Sequence, residues 1–123
     1  MATRSKAQEA HRVSVEFGIK DIAGFLLAEL GRNLTAYLAG TSDPKAVTEW
    51  AKGSRTPRPD ADQRLRAAYQ VFHQLQTEES PHTVRQWFIG LNPQLDDQTP
   101  ADVIREGQFR DVLHAARVYV SGG

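Results

Sequence analysis

The sequence predicts an all-α fold of about seven helices, with an N-terminal four-helix unit followed by a small three-helix unit. Three observations point there. Apolar residues recur at spacings of three and four along most of the chain. No segment alternates apolar and polar residues as a strand would. Capping residues, prolines and glycines punctuate the periodic stretches where helices should start and stop.

Residues 1–14 are polar and aperiodic and read as a mobile tail. Ile22, Phe25, Leu26 and Leu30 then keep helical spacing, and Gly31 supplies a stop. Asn33 is placed to cap a short second helix through Leu38, ended by Gly40. Ser42 is placed to cap a third, with Ala46, Val47 and Trp50 on one face and Gly53 at its end. A stiff basic connector, Ser54-Arg55-Thr56-Pro57-Arg58-Pro59, leads to the longest helix. Asp60 with Gln63 reads as its capping box, and Leu65, Ala68, Tyr69, Phe72 and Leu75 form its apolar stripe.

Ser80-Pro81 opens a fifth helix carrying Val84, Trp87 and Phe88, with proline where a missing N–H costs nothing. Asn92-Pro93 breaks it into a loop ending at Asp96-Asp97-Gln98. Thr99-Pro100-Ala101-Asp102 starts a short helix that Gly107 ends. Phe109, Val112, Leu113, Ala116 and Val120 mark a last amphipathic helix.

Composition narrows the function classes. An apolar fraction of 40% and a charged fraction of 24% are those of a globular protein. No apolar run approaches the roughly 20 residues that cross a bilayer, and no apolar segment follows the basic start, so a cytoplasmic protein without a secretory signal is expected. The chain has no cysteine, and His11, His73, His82 and His114 fall at no spacing that pairs them on a helix face, so no metal site and no cofactor are expected. With no nucleophile elbow and no phosphate-cradling glycine loop, an enzyme is not expected either. Asp96-Asp97 reads as a solvated turn, and the large aromatics as packing residues. Net charge is zero, but residues 1–58 carry nine Lys or Arg against six acids, and residues 59–123 carry six against nine. A basic front half fits a DNA-facing head.

The stretch from Leu34 to Gly53 carries the helix-turn-helix. Gly40 is the turn residue, Leu34 and Leu38 the first inner face, Val47 and Trp50 the second. The order Leu38-Ala39-Gly40-Thr41-Ser42, with Val47 and Trp50 following, resembles the phage-repressor-like (Xre-type) motif. Thr41, Ser42, Lys45, Thr48, Lys52, Arg55 and Arg58 are the candidate DNA-binding residues, Lys45 and Thr48 toward the groove and Lys52, Arg55 and Arg58 toward phosphates. Asp43 and Glu49 lie on the same outer face and repel phosphate. So few cations imply two copies on one duplex, hence a homodimer, with Phe25 and Leu26 as candidate contact residues.

Further on, Val84 to Leu95, with its Trp87-Phe88 helix running into Asn92-Pro93, is similar to the toxin-binding domain of the Xre/MbcA/ParS antitoxin family. The continuation from Thr99 through Gly107 to Phe109, Val112 and Leu113 follows the same order, so the resemblance spans about Asn33 to Gly123. It implies a cognate toxin, usually a RES-domain protein that consumes NAD, and repression of a shared operon through double-stranded operator DNA. It divides the chain into a tail (1–14), a helix-turn-helix DNA-binding unit (15–79) and a toxin- or partner-binding unit (80–123). It also implies that the C-terminal end plugs the toxin's cleft, through Arg105, Phe109, Arg110, Leu113, Arg117, Tyr119, Val120, Gly122 and Gly123. The groove between the last two helices is the alternative surface. A regulator or interaction module without a toxin is the alternative function.

Overall fold

The computed structural model describes residues 18–122. Within them lie seven α-helices and no strand. They are α1 (Ile19–Leu30), α2 (Arg32–Ala39), α3 (Pro44–Lys52), α4 (Pro59–Leu75), α5 (Pro81–Ile89), α6 (Pro100–Arg105) and α7 (Phe109–Val120), with a 3₁₀ turn at Pro93–Leu95. The all-α expectation holds. Residues 1–17 and Gly123, and with them the expected tail and His11, lie outside the described residues.

Proline sets where most of these helices begin. Pro44, Pro59, Pro81 and Pro100 each occupy the first turn of an α-helix, and Pro93 opens the 3₁₀ turn. A proline ring holds φ at a helical value and pushes the residue before it into extended backbone, which is the conformation of an N-cap. At Ser80 and Thr99 the preceding residue is the expected cap, and Asn92, expected to open a loop, caps the 3₁₀ turn in the same way. Ser80 accepts from the Thr83 N–H, Thr99 from Asp102 and Asn92 from Gln94. Elsewhere proline moves the helix start away from the expected cap. Asp43, not Ser42, caps α3, accepting from the Lys45 N–H at 3.1 Å. Arg58, not Asp60, stands at the N-cap of α4, and its side chain caps nothing. In α2, helical backbone begins at Arg32 behind Gly31, so Asn33 lies inside the first turn.

Gly40 makes the sharp turn between α2 and α3. Its φ of +85° lies in the left-handed region, where an L side chain is strained. The Thr41 N–H then reaches back to the Ala36 carbonyl at 3.1 Å and closes the end of α2. Thr35, fully buried, donates its hydroxyl to the Leu26 carbonyl and ties α2 to α1.

The core is one continuous cluster running from Ile22 in α1 to Ala116 in α7. Its axis is α4, which packs against α1, α2, α6 and α7. The expected stripe of Leu65, Ala68, Tyr69, Phe72 and Leu75 is buried, and so are Ala61, Ala67, Val71 and Gln74 on neighbouring faces. An aromatic chain crosses the core. Phe25 meets Tyr69 and Phe72 edge-on, both at 5.1 Å between ring centroids. Phe72 lies parallel to Phe88 of α5 at 6.4 Å, and Trp87 meets Tyr119 of α7 at 6.5 Å. Leu26 is fully buried, so the two residues expected at a dimer contact are spent inside one chain. Asp96 and Asp97 are exposed and both left-handed, at φ +54° and +61°, as turn formers with short polar side chains tolerate. No helix among the described residues is long and apolar enough to cross a membrane.

Because Phe72 joins both halves, Phe72→Ala is expected to cost about 3–5 kcal/mol. Variants keeping only Trp50 or only Trp87 should report the same denaturation midpoint by fluorescence. Two separate midpoints would mean that the halves fold independently.

Candidate nucleic-acid interface

Helix α3 packs Ala46, Val47 and Trp50 against the core. At 100° per residue, this leaves Lys45, Thr48 and Lys52 sharing the opposite stripe. Lys45 and Lys52 are exposed and Thr48 is half-buried. These three of the sequence-predicted DNA residues therefore lie together. Gly53, with φ +78°, ends the helix, and the Ser54 N–H closes on the Glu49 carbonyl.

The other four predicted residues gather on the flank of α3 instead. Thr41, Ser42, Arg55 and Arg58 line a cleft of about 410 Å³ between the Gly40 turn and the start of α4. Arg55 is not free there. Its guanidinium lies 3.8 Å from both Asp43 and Glu49, the two acids expected to repel phosphate. Exposed pairs of this kind contribute little stability, at most about 1 kcal/mol, but they offset part of the acids' charge and hold the arginine along α3. No feature of the sequence marks this latch, because it depends on how the loop after Gly53 folds back. Trp50, only 4% exposed, forms part of the same cleft. Its indole Nε1 is the one buried side-chain polar atom without a hydrogen-bond partner among the described residues.

Behind the turn, a clasp joins α2 to α6. The Tyr37 hydroxyl donates to the Asp102 carboxylate. Arg105 lies over the Tyr37 ring, 4.5 Å from its centroid, and donates to the Tyr37 carbonyl at 2.8 Å. Arg64 of α4 donates through Nε to the Arg105 carbonyl at 2.9 Å. The hydrogen bond to Asp102, then partial burial, raise the Tyr37 pKa above its ordinary value.

The residues expected to meet a protein partner divide in two. Arg105 belongs to the clasp, and Phe109, Leu113 and Val120 pack against the core. Tyr119 donates its hydroxyl to Glu79 at 2.9 Å, which raises its pKa. Arg110, Arg117 and Gly122 are exposed, and Gly123 lies outside the described residues. A surface that the sequence reading did not single out lies nearby. Trp87, Leu91, Pro93, Val118 and Tyr119 line an open groove of about 350 Å³ between α5, the loop after it and α7. Leu91 is 75% exposed and Ile89 49%. Isolated leucines in loops are common on surfaces, so their positions alone carried no signal. His73 stacks on Tyr69 at 6.3 Å, and no group of three metal-binding side chains occurs among the described residues.

A raised phenol pKa favours the protonated side chain in the folded state. The stability it contributes is present below the ordinary tyrosine value of about 10 and is lost as pH rises through the folded value. In a Tyr69→Phe, Tyr119→Phe background, ultraviolet difference titration should place Tyr37 above that ordinary value. Asp102→Asn should bring it back down. An unchanged midpoint would remove the clasp as the cause.

Comparison with known proteins finds no matching family model, no matching curated protein and no matching solved structure.

Proposed function

We propose that this chain is a DNA-contacting regulator with a protein partner, and in its most specific form an antitoxin that represses its own operon. The observation that carries the DNA reading is the polar stripe of exposed Lys45 and Lys52 with half-buried Thr48, on a helix that follows a left-handed glycine turn. Its outer face is polar and its inner face is core, as major-groove insertion of the second helix requires. Partial compensation of Asp43 and Glu49 by Arg55 supports the same reading, since the one guanidinium shared by both carboxylates lowers the negative charge that a phosphate backbone approaches. The cost is that Arg55 is shared between these acids and any phosphate. One copy therefore brings few free cations to DNA, and two copies on a two-fold site are the form with useful affinity.

The partner half of the proposal rests on the resemblance of residues 84–95 and 99–113 to the toxin-binding domain of Xre/MbcA/ParS antitoxins. The partner is then the product of a neighbouring gene, a RES-type enzyme acting on NAD. The apolar groove at Leu91 is the better candidate for its contact, because Phe109, Leu113 and Val120 already pack inside the chain. Exposed aromatic and aliphatic side chains around a groove supply the anchors that dominate most interfaces. An interaction module without DNA binding is the second reading, favoured by the ion pairs that occupy Arg55.

With a fragment of its own promoter, the protein should retard migration at low salt. Lys52→Ala should weaken binding to all sequences and flatten the salt slope by about one unit. Thr48→Ala should instead change which sequence is preferred. No shift at low salt would favour the second reading.

For the partner, Leu91→Asp should change stability by less than about 0.5 kcal/mol, as surface substitutions usually do. It should abolish neutralisation in cells carrying the neighbouring gene. Full neutralisation by that variant would rule out the groove.

A further inference from the structure

The cleft beside the Gly40 turn has a chemistry that the DNA-facing stripe does not use. One wall is the turn itself, with the hydroxyls of Thr41 and Ser42; another is the connector, with Thr56 and Arg58. The third is the first turn of α4. That helix is 17 residues long, and no side chain caps it. Pro59 has no N–H, and the next two residues, Asp60 and Ala61, both line the cleft. Helix N-termini carry partial positive charge on such N–H groups.

Independent observations point to a ligand. Arg58 is exposed and makes no ion pair or side-chain hydrogen bond among the described residues. Trp50 is buried in the cleft wall with its Nε1 unpartnered. Arg64 holds the Asp60 carboxylate at 3.2 Å, so the one acid in the lining is already paired. Donors therefore line three walls, and the lining itself holds no unpaired acid. A guanidinium, three hydroxyls and a helix start match a group with several anionic oxygens. At about 410 Å³ the space exceeds one bare oxyanion, and the indole offers an apolar wall to an attached organic group.

We propose that this cleft binds a phosphate ester, with Arg58, the Thr41, Ser42 and Thr56 hydroxyls and the uncapped start of α4 receiving its oxygens. The assignment does not depend on the DNA reading. A phosphate ester has two sources, a free mononucleotide-sized molecule or the backbone of a duplex.

The test is a titration of the full chain, followed by NMR at the Trp50 indole N–H and the amides of Asp60 and Ala61. Adenosine 5′-monophosphate is the free ester, adenosine its control, and a short DNA duplex the backbone source. Saturable shifts with the monophosphate but not with adenosine are expected, weakened about tenfold by Arg58→Gln. That position is exposed, so the remaining amide spectrum verifies that the variant folds. If the duplex displaces the monophosphate, or alone produces the shifts, the ester is the DNA backbone; if both bind together, it is a free small molecule. The proposal is overturned if neither probe shifts these signals saturably, if adenosine acts as well as its monophosphate, or if Arg58→Gln binds as the native chain does.

Discussion

Helix α4 is covered over more than half its circumference, and the rest of the arrangement follows from what that requires. A helix exposed on one side needs a single apolar stripe. This one must also present small residues where neighbours approach closely. Ala61, Ala67 and Ala68 do so, while Leu65, Val71, Phe72 and Leu75 fill the spaces between. With α1 and α2 on some of its faces and α6 and α7 on others, the helix-turn-helix and the C-terminal helices are built on the same shaft. Phe72, touched by both Phe25 and Phe88, lies at the centre of it.

Two arginines extend that union to the surface. Arg64 starts on α4, passes near Gly40 and bonds the last carbonyl of α6. Arg105 leaves that same residue position and covers Tyr37 on α2. A Cβ at Gly40 would lie in ordinary van der Waals contact with the Arg64 side chain at 3.5 Å, so it is the left-handed backbone that restricts this turn to glycine. Helix α3 itself is held by α1 and α2, against which it packs, so the clasp reaches it only through α2.

Much of this was legible in the residues. Helix identity followed from periodicity, and two starts followed from a capping residue directly before proline, at Ser80 and Thr99. The misplaced caps at Ser42 and Asp60 show which signal dominates: proline fixes the backbone of its predecessor, whereas a capping side chain only rewards a conformation already present. The second face of α4 was hidden because its alanines stand out on no hydrophobicity pattern. Lys45, Thr48 and Lys52 could be grouped from helical spacing alone. The Arg55 latch and the inward turn of Arg105 could not, since both depend on contacts between segments distant in sequence or held by a loop. Arginines and aromatics on an amphipathic helix look alike in sequence whether they meet a partner or the chain itself.

A single core also has a consequence for the lifetime of the chain. Molecules that bind only the folded form draw the equilibrium toward it, whichever face they occupy. Where one cluster runs from Ile22 to Ala116, occupancy at α7 protects α3 as fully as a contact made at α3 would. A ligand at one hundred times its Kd adds about 2.7 kcal/mol, which cuts the unfolded fraction, and with it exposure to degradation, roughly a hundredfold. Loss of such a bound molecule would then be read out as faster turnover of the whole chain, α3 included, without any change of shape passing between the two ends.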